Sequence, residues 1–120
     1  MLTLSGRERI FLARGATDMR KAIDGLEAVT RLCLRRDPFS GDLFAFCNRR
    51  RNRIKILYWE SSGFWLLHKR LEKGTFAWPA TDDVTQMHIE MDHTELAALL
   101  GGLDIRDARR RKWYQMKESE

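Results

Sequence analysis

Hydrophobic and polar positions follow two different periods along the chain, and the changes of period mark the elements. Arg9-Ile10-Phe11-Leu12-Ala13 is a short apolar run bounded by Gly6 and Gly15, which reads as a first strand. From Asp18 the period lengthens. Met19, Ala22, Ile23, Leu26, Val29 and Cys33 fall on one stripe of a helix spanning about 18–34. Thr17 and Asp18 offer its N-cap, because a short side-chain oxygen accepts the free amides of a first turn. Arg20/Asp24 and Glu27/Arg31 stand at i,i+4 on the outer side. Gly25 costs such a helix about 1 kcal/mol relative to Ala, and its place beside the stripe predicts close packing against a sheet.

Asp37-Pro38 opens a turn and Ser40-Gly41 closes it. Leu43-Phe44-Ala45-Phe46-Cys47 is apolar on both faces, as a central strand is. Ile54 to Trp59 is β-branched and aromatic, so these two runs form an antiparallel hairpin around Asn48–Arg53. After a turn at Glu60–Gly63, a strand begins at Phe64 and continues into Lys69–Gly74 before a turn, with one helical turn capped by Gly74 as the alternative. Thr75–Pro79 is extended, since Pro79 biases Trp78 away from helix. Met87, Ile89 and Met91 alternate with polar residues as a last strand. Thr94–Leu100 is a short helix with Asp92 or His93 near its cap and Gly101-Gly102 at its end. The architecture is α+β: a mostly antiparallel sheet with one long helix packed on a face and a short C-terminal helix. Residues 1–105 make one domain, and 106–120 form a basic tail with too thin an apolar stripe to pack, expected to be frayed or disordered.

Composition agrees with one globular domain of 120 residues, with 43% hydrophobic and 32% charged residues. No apolar run is long enough to span a membrane, and the N-terminus lacks the pattern of a signal peptide. Cys33 and Cys47 are too few for a disulfide framework or a thiol-rich zinc site, so a reduced, cytoplasmic protein is expected.

Charge changes the picture more. The net charge is +5, but residues 49–74 hold eight Lys/Arg against two Asp/Glu, and residues 75–105 hold six acids and no cation. A basic middle predicts attraction to polyanions, nucleic acid first. Its sharpest part is the hairpin tip, where Arg49, Arg50, Arg51, Arg53 and Lys55 put five cations in seven residues. Guanidinium forks match phosphate oxygens, and a two-stranded ribbon can lie along a backbone. Lys69, Arg70 and Lys73 extend the strip. The plain structural explanation is that loop tips are exposed and suit arginine; against it, clustered like charges repel unless an anion answers them. Trp59, Phe64, Trp65, Phe76 and Trp78 lie among these cations and could stack bases, although a small sheet needs such rings for its core.

No catalytic set is legible. Asp18, Asp24, Asp37, Asp42, Glu60, Asp82 and Asp83 show no spacing specific to a two-metal nuclease, and capping or turn chemistry explains several of them. There is no Cys/His metal box, no phosphate-cradling glycine loop and no serine elbow, so no metal or cofactor is expected.

Five ordered blocks resemble a known family. They are Thr17-Asp18-Met19-Arg20-Lys21 with Asp24-Gly25-Leu26; Asp37-Pro38-Phe39-Ser40-Gly41 with Leu43-Phe44 and Phe46; Asn48 to Trp59; Gly63-Phe64-Trp65; and Lys69 to Gly74 with Phe76-Ala77-Trp78-Pro79. Together they are similar to the TnpB accessory proteins, the second-reading-frame proteins, of bacterial insertion sequences of family sixty-six. These are unrelated to the RNA-guided nucleases that share the name. Cys47 departs from the pattern where a basic or polar residue is expected, and Asn52 where Asp is expected. The resemblance implies a part in transposition without being the recombinase, which a separate, larger transposase supplies. On that footing the chain is expected to be a non-catalytic accessory factor. It would bind DNA backbone through Arg49, Arg50, Arg51, Arg53, Lys55, Lys69, Arg70 and Lys73, and offer its acidic block, residues 75–105, to the transposase. The alternative is a protein–protein adaptor without DNA contact, its basic strip meeting the acidic block of the transposase or of a second copy in a homo-oligomer.

Overall fold

The computed structural model describes residues 4–80 and 86–101. Asp82, Asp83, Asp104, the expected domain end at 105 and the expected tail 106–120 lie outside the described residues. The strands are β1 (Ile10–Ala13), β2 (Leu43–Cys47), β3 (Arg53–Glu60), β4 (Gly63–Arg70) and β5 (His88–Met91); the helices are α1 (Ile23–Leu32) and α2 (His93–Leu100). The strands form one five-stranded sheet in the order β4-β3-β2-β1-β5. β2, β3 and β4 run as an antiparallel meander, and β5 is antiparallel to β1. β1 and β2 are parallel, with Ile10 opposite Leu43. The sheet is thus mostly antiparallel, with one parallel pair that the hydrophobic pattern did not announce. Parallel neighbours need a long crossover, and residues 14–42, with α1, supply it.

Strand alternation divides the core between the two faces of the sheet. Ile10, Leu12, Leu43, Ala45, Cys47, Ile54, Ile56, Tyr58 and Met91 meet Phe76 and the Leu96 and Leu99 side chains of α2 on one face. Phe11, Ala13, Phe44, Phe46 and Leu57 meet Leu26 of α1 and Leu34 on the other. Every residue of β2 is buried, as its two-sided apolar pattern requires. Thr75–Pro79 adds no strand, but it carries Phe76 into the core.

The expected long helix is ten residues. Thr17 and Asp18 do not cap it. Asp18 accepts instead from the Arg20 amide at 2.9 Å and pairs with the Arg20 guanidinium, the local turn that Asp favours over helix. The carbonyls of Met19 and Lys21, which an earlier start would use along the helix, accept from Lys55 Nζ at 2.9 and 2.8 Å. The helix therefore starts after Ala22, whose side chain makes no cap bond. Arg35 at φ 57 ends the segment, and Cys33, expected on the apolar stripe, is exposed. Buried Thr30 takes its place, its hydroxyl donating to Leu26 O at 2.8 Å. Glu27 pairs with Arg31 as expected; Arg20 pairs with Asp18 rather than Asp24. Gly25 does not serve close approach to the sheet, because a Cβ there would meet the Lys21 side chain. In α2, Asp92 is the N-cap and accepts from the Glu95 amide at 2.8 Å. No helix among the described residues is long and apolar enough to cross a membrane.

Candidate nucleic-acid interface

At the end of the sheet where β1, β2 and β4 finish, three connections are tied into one rim. Asn48 organises the β2–β3 loop. Its Oδ1 accepts from the amides of Asn52 and Arg53, both at 3.0 Å, and its Nδ2 donates to Asn52 Oδ1 at 2.6 Å. Asn52 thus fills the role of the expected Asp by offering a carbonyl oxygen. Arg51 bridges outward: its guanidinium donates to Gly15 O at 3.3 Å and lies 6.0 Å from the centre of the Trp78 ring. The Arg51 carbonyl accepts from the Phe76 amide, and Asn52 O from the Leu71 amide. The Thr17 amide donates to Cys47 O at 2.8 Å, joining the β1–α1 connection to the same rim.

The predicted cations separate into groups. Arg49 and Arg50 are exposed at the loop tip, and Lys73 is exposed on the neighbouring turn. Arg53 and Arg70 stand directly opposite each other across β3 and β4, next to the Lys55–His68 pair. These four side chains share the α1 face, and Arg53, His68, Arg70 and Glu72 line a shallow depression. Like charges opposed on adjacent strands are destabilising; Glu72 offsets this in part by accepting from Arg70 at 2.9 Å. Lys55 is not a surface charge. Its side chain is buried and its ammonium is held by the two carbonyls before α1. Lys69 lies on the opposite face and donates to Leu100 O at the end of α2, where a cation suits the exposed carbonyls. Arg14, on the β1–α1 connection, joins the rim from a segment the sequence reading passed over. The signal for it was Arg14-Gly15 directly after a strand, useful only once β1 is known to run parallel to β2.

Partial desolvation makes His68 harder to protonate than an ordinary histidine, although the residue is exposed, and the charges of Lys55, Arg53 and Arg70 add to this. Burial likewise pushes the Cys47 thiol up, with Arg51 pulling the other way.

The aromatic residues do not share this rim as a set. Phe76 is core, and Trp78 is half-buried with Nε1 donating to Ala13 O at 3.2 Å. Trp59 and Phe64 join Phe39 at the opposite end of the sheet, with ring centres 5.0–5.2 Å apart. Glu90 of the acidic block is held by Arg9 through two bonds of 2.9 and 3.0 Å. Among the described residues, no three His, Cys, Asp or Glu side chains gather to hold a metal ion.

The model of the family described as IS66 Orf2 like protein matches residues 8–110. Uncharacterized protein y4jC of Sinorhizobium fredii (strain NBRC 101917 / NGR234) is 36% identical over 96 residues, covering 80% of each chain. Uncharacterized protein y4hO of the same organism is 32% identical over 106 residues, covering 88% of this chain and 90% of its own. No solved structure matches.

Proposed function

Because the chain belongs to the IS66 Orf2-like family, whose part in insertion-sequence transposition is an accessory one, we propose that it acts by holding DNA backbone on the basic rim while the transposase of its element carries out the chemistry. The observation that carries this reading is the Arg53–Arg70 pair. Two guanidinium groups opposed across a ladder, beside the exposed Arg49 and Arg50, are stabilised by a phosphate between them. The grip is made by Arg49, Arg50, Arg53, Arg70 and Lys73, with Arg14 at its side. Arg51, Lys55 and Lys69 are committed to backbone carbonyls and stand outside the grip. Recognition is of backbone rather than bases, because loops and strand ends supply the cations and, among the described residues, no helix is offered to a groove.

The test is fluorescence-anisotropy titration with duplex DNA over a range of salt. Affinity is expected to fall steeply with salt, and each phosphate-binding arginine removed should lower the slope by about 1. The Arg53→Ala/Arg70→Ala variant should therefore lose about two, and Lys69→Ala almost nothing. Full affinity and slope in a variant lacking Arg49, Arg50, Arg53 and Arg70 would overturn the grip. The adaptor reading rests on a different observation, the Phe39–Trp59–Phe64 cluster, in which Phe39 is 51% exposed at the end away from the cations. Absence of DNA binding even at low salt would favour it.

A further inference from the structure

The two edges of the sheet are built differently. β5 is four residues long, and Arg9 clasps its Glu90. Short, charged edges resist pairing with another chain. β4 is eight residues long, contains no proline, and keeps an unbroken ladder with β3 from Gly63 to Arg70. No strand lies along its outer side among the described residues. Trp65 and Leu67 on this strand are 40% and 37% exposed. The Leu71 amide bonds inward to Asn52 O. Antiparallel alternation therefore turns the backbone groups of Lys69, Leu67 and Trp65 toward β3, and those of Phe64, Leu66, His68 and Arg70 outward.

We propose that β4 pairs antiparallel with β4 of a second copy, about a twofold axis at Leu67, so that one sheet runs through both molecules. The strand is complementary to itself in this arrangement. Its first half, Phe64–Leu67, is apolar and aromatic, and its second, His68–Arg70, is cationic. With Leu67 opposite the partner's Leu67, Phe64 faces the partner's Arg70, Trp65 the partner's Lys69, and Leu66 the partner's His68. Each cation meets a ring or an aliphatic side chain, and no two charges oppose. All four outward-turned residues find backbone partners. A slip of one residue sends side chains to the wrong faces, and the next permitted registers set Arg70 against the turn at Ser62 in one direction and His68 against the partner's His68 in the other. A parallel copy aligns cation with cation. The contact is isologous and closes at two subunits, and it does not depend on the DNA reading.

Sedimentation velocity without DNA, over a concentration series at low and high salt, tests this. The expected result is a monomer–dimer equilibrium that persists at high salt, since backbone bonds and apolar burial carry it. His68→Pro removes an outward amide and spares the ladder to β3. Leu67→Lys sets two ammonium groups opposite each other at the axis. Each should weaken dimerisation at least about tenfold, with circular dichroism and the unfolding midpoint of the monomer retained. Leu67→Cys on a Cys33→Ser background should cross-link to itself on oxidation, because a directly opposed pair lies within disulfide reach. If His68→Pro fails to fold, Leu67→Lys and Leu67→Cys decide. A monomer at every concentration, a dimer that dissolves at high salt, or one that Leu67→Lys leaves intact overturns the proposal. A complex formed only with an acidic peptide would assign the edge to another partner.

Discussion

A lysine turned into a protein interior must find acceptors, and Lys55 finds two, the carbonyls of Met19 and Lys21. Replacing it with Met keeps the bulk and orphans both. The expected loss is about 1–3 kcal/mol, the usual cost of unsatisfied buried polar groups, read from urea unfolding. DNA affinity of the folded Lys55→Met variant should be unchanged, which separates its role from that of the neighbouring arginines. Glu8 gives a second prediction. Burial pushes its carboxyl up, but bonds from the Ser5 amide and hydroxyl and the Gly6 amide outweigh this and hold it at about 2, against an ordinary 4.5. A depressed carboxyl stabilises the folded state above its unfolded pKa. That contribution is complete above pH 4.5 and is lost as the pH falls toward 2. Glu8→Gln should flatten this part of an acid-unfolding curve.

Among the elements, α1 carries a deficit that substitution can fill. Its cap position, Ala22, is exposed, has extended backbone and makes no side-chain bond. Ala22→Asp or Ala22→Ser should stabilise the fold by about 1 kcal/mol in thermal or urea unfolding. Asn48→Ala should do the reverse, because it removes the clasp of the β2–β3 loop on which Arg49 and Arg50 sit. Most elements were legible because their signals are local. β2 could be placed at the centre of the sheet from its two-sided apolar run, and the β2–β3 hairpin from two such runs with a polar stretch between them. The start of α1 was not, since it depends on a lysine more than thirty residues away taking the carbonyls of Met19 and Lys21, just before the helix. The same limit applies at the interface. The density of arginine around Arg49–Arg53 is plain in the sequence, but the opposition of Arg53 and Arg70 needs the register of two strands. That Lys55 points inward and Lys69 lies on the other face also follows only from which side of the sheet each residue occupies.

At the scale of the whole molecule, charge is sorted along the strands. The rim where β1, β2 and β4 end gathers Arg14, Arg49, Arg50, Arg53, Arg70 and Lys73, while Phe39, Trp59 and Phe64 occupy the other end. His68 links this sorting to pH. With its pKa lowered by partial desolvation and by the neighbouring cations, the free fold loses some stability as pH falls through 6.5, because the unfolded chain binds the proton more readily. A bound phosphate reverses the influence of the cations. DNA binding should then take up a proton and tighten as the pH drops below 6.5, and His68→Ala should remove this dependence in the anisotropy titration.

The position of β5 has a kinetic consequence. β2, β3 and β4 are contiguous in the chain and close through short turns, whereas β5 reaches β1 only after residues 14–87 have been brought into place. Loop closure over such a separation makes this seam late to assemble. Amide hydrogens of His88–Met91 should therefore exchange with solvent sooner than those of β2 and β3. Each such opening would uncover β1, whose Ile10-Phe11-Leu12 is an apolar template for stray strands, and the Arg9–Glu90 pair stands at the seam where aggregation would begin.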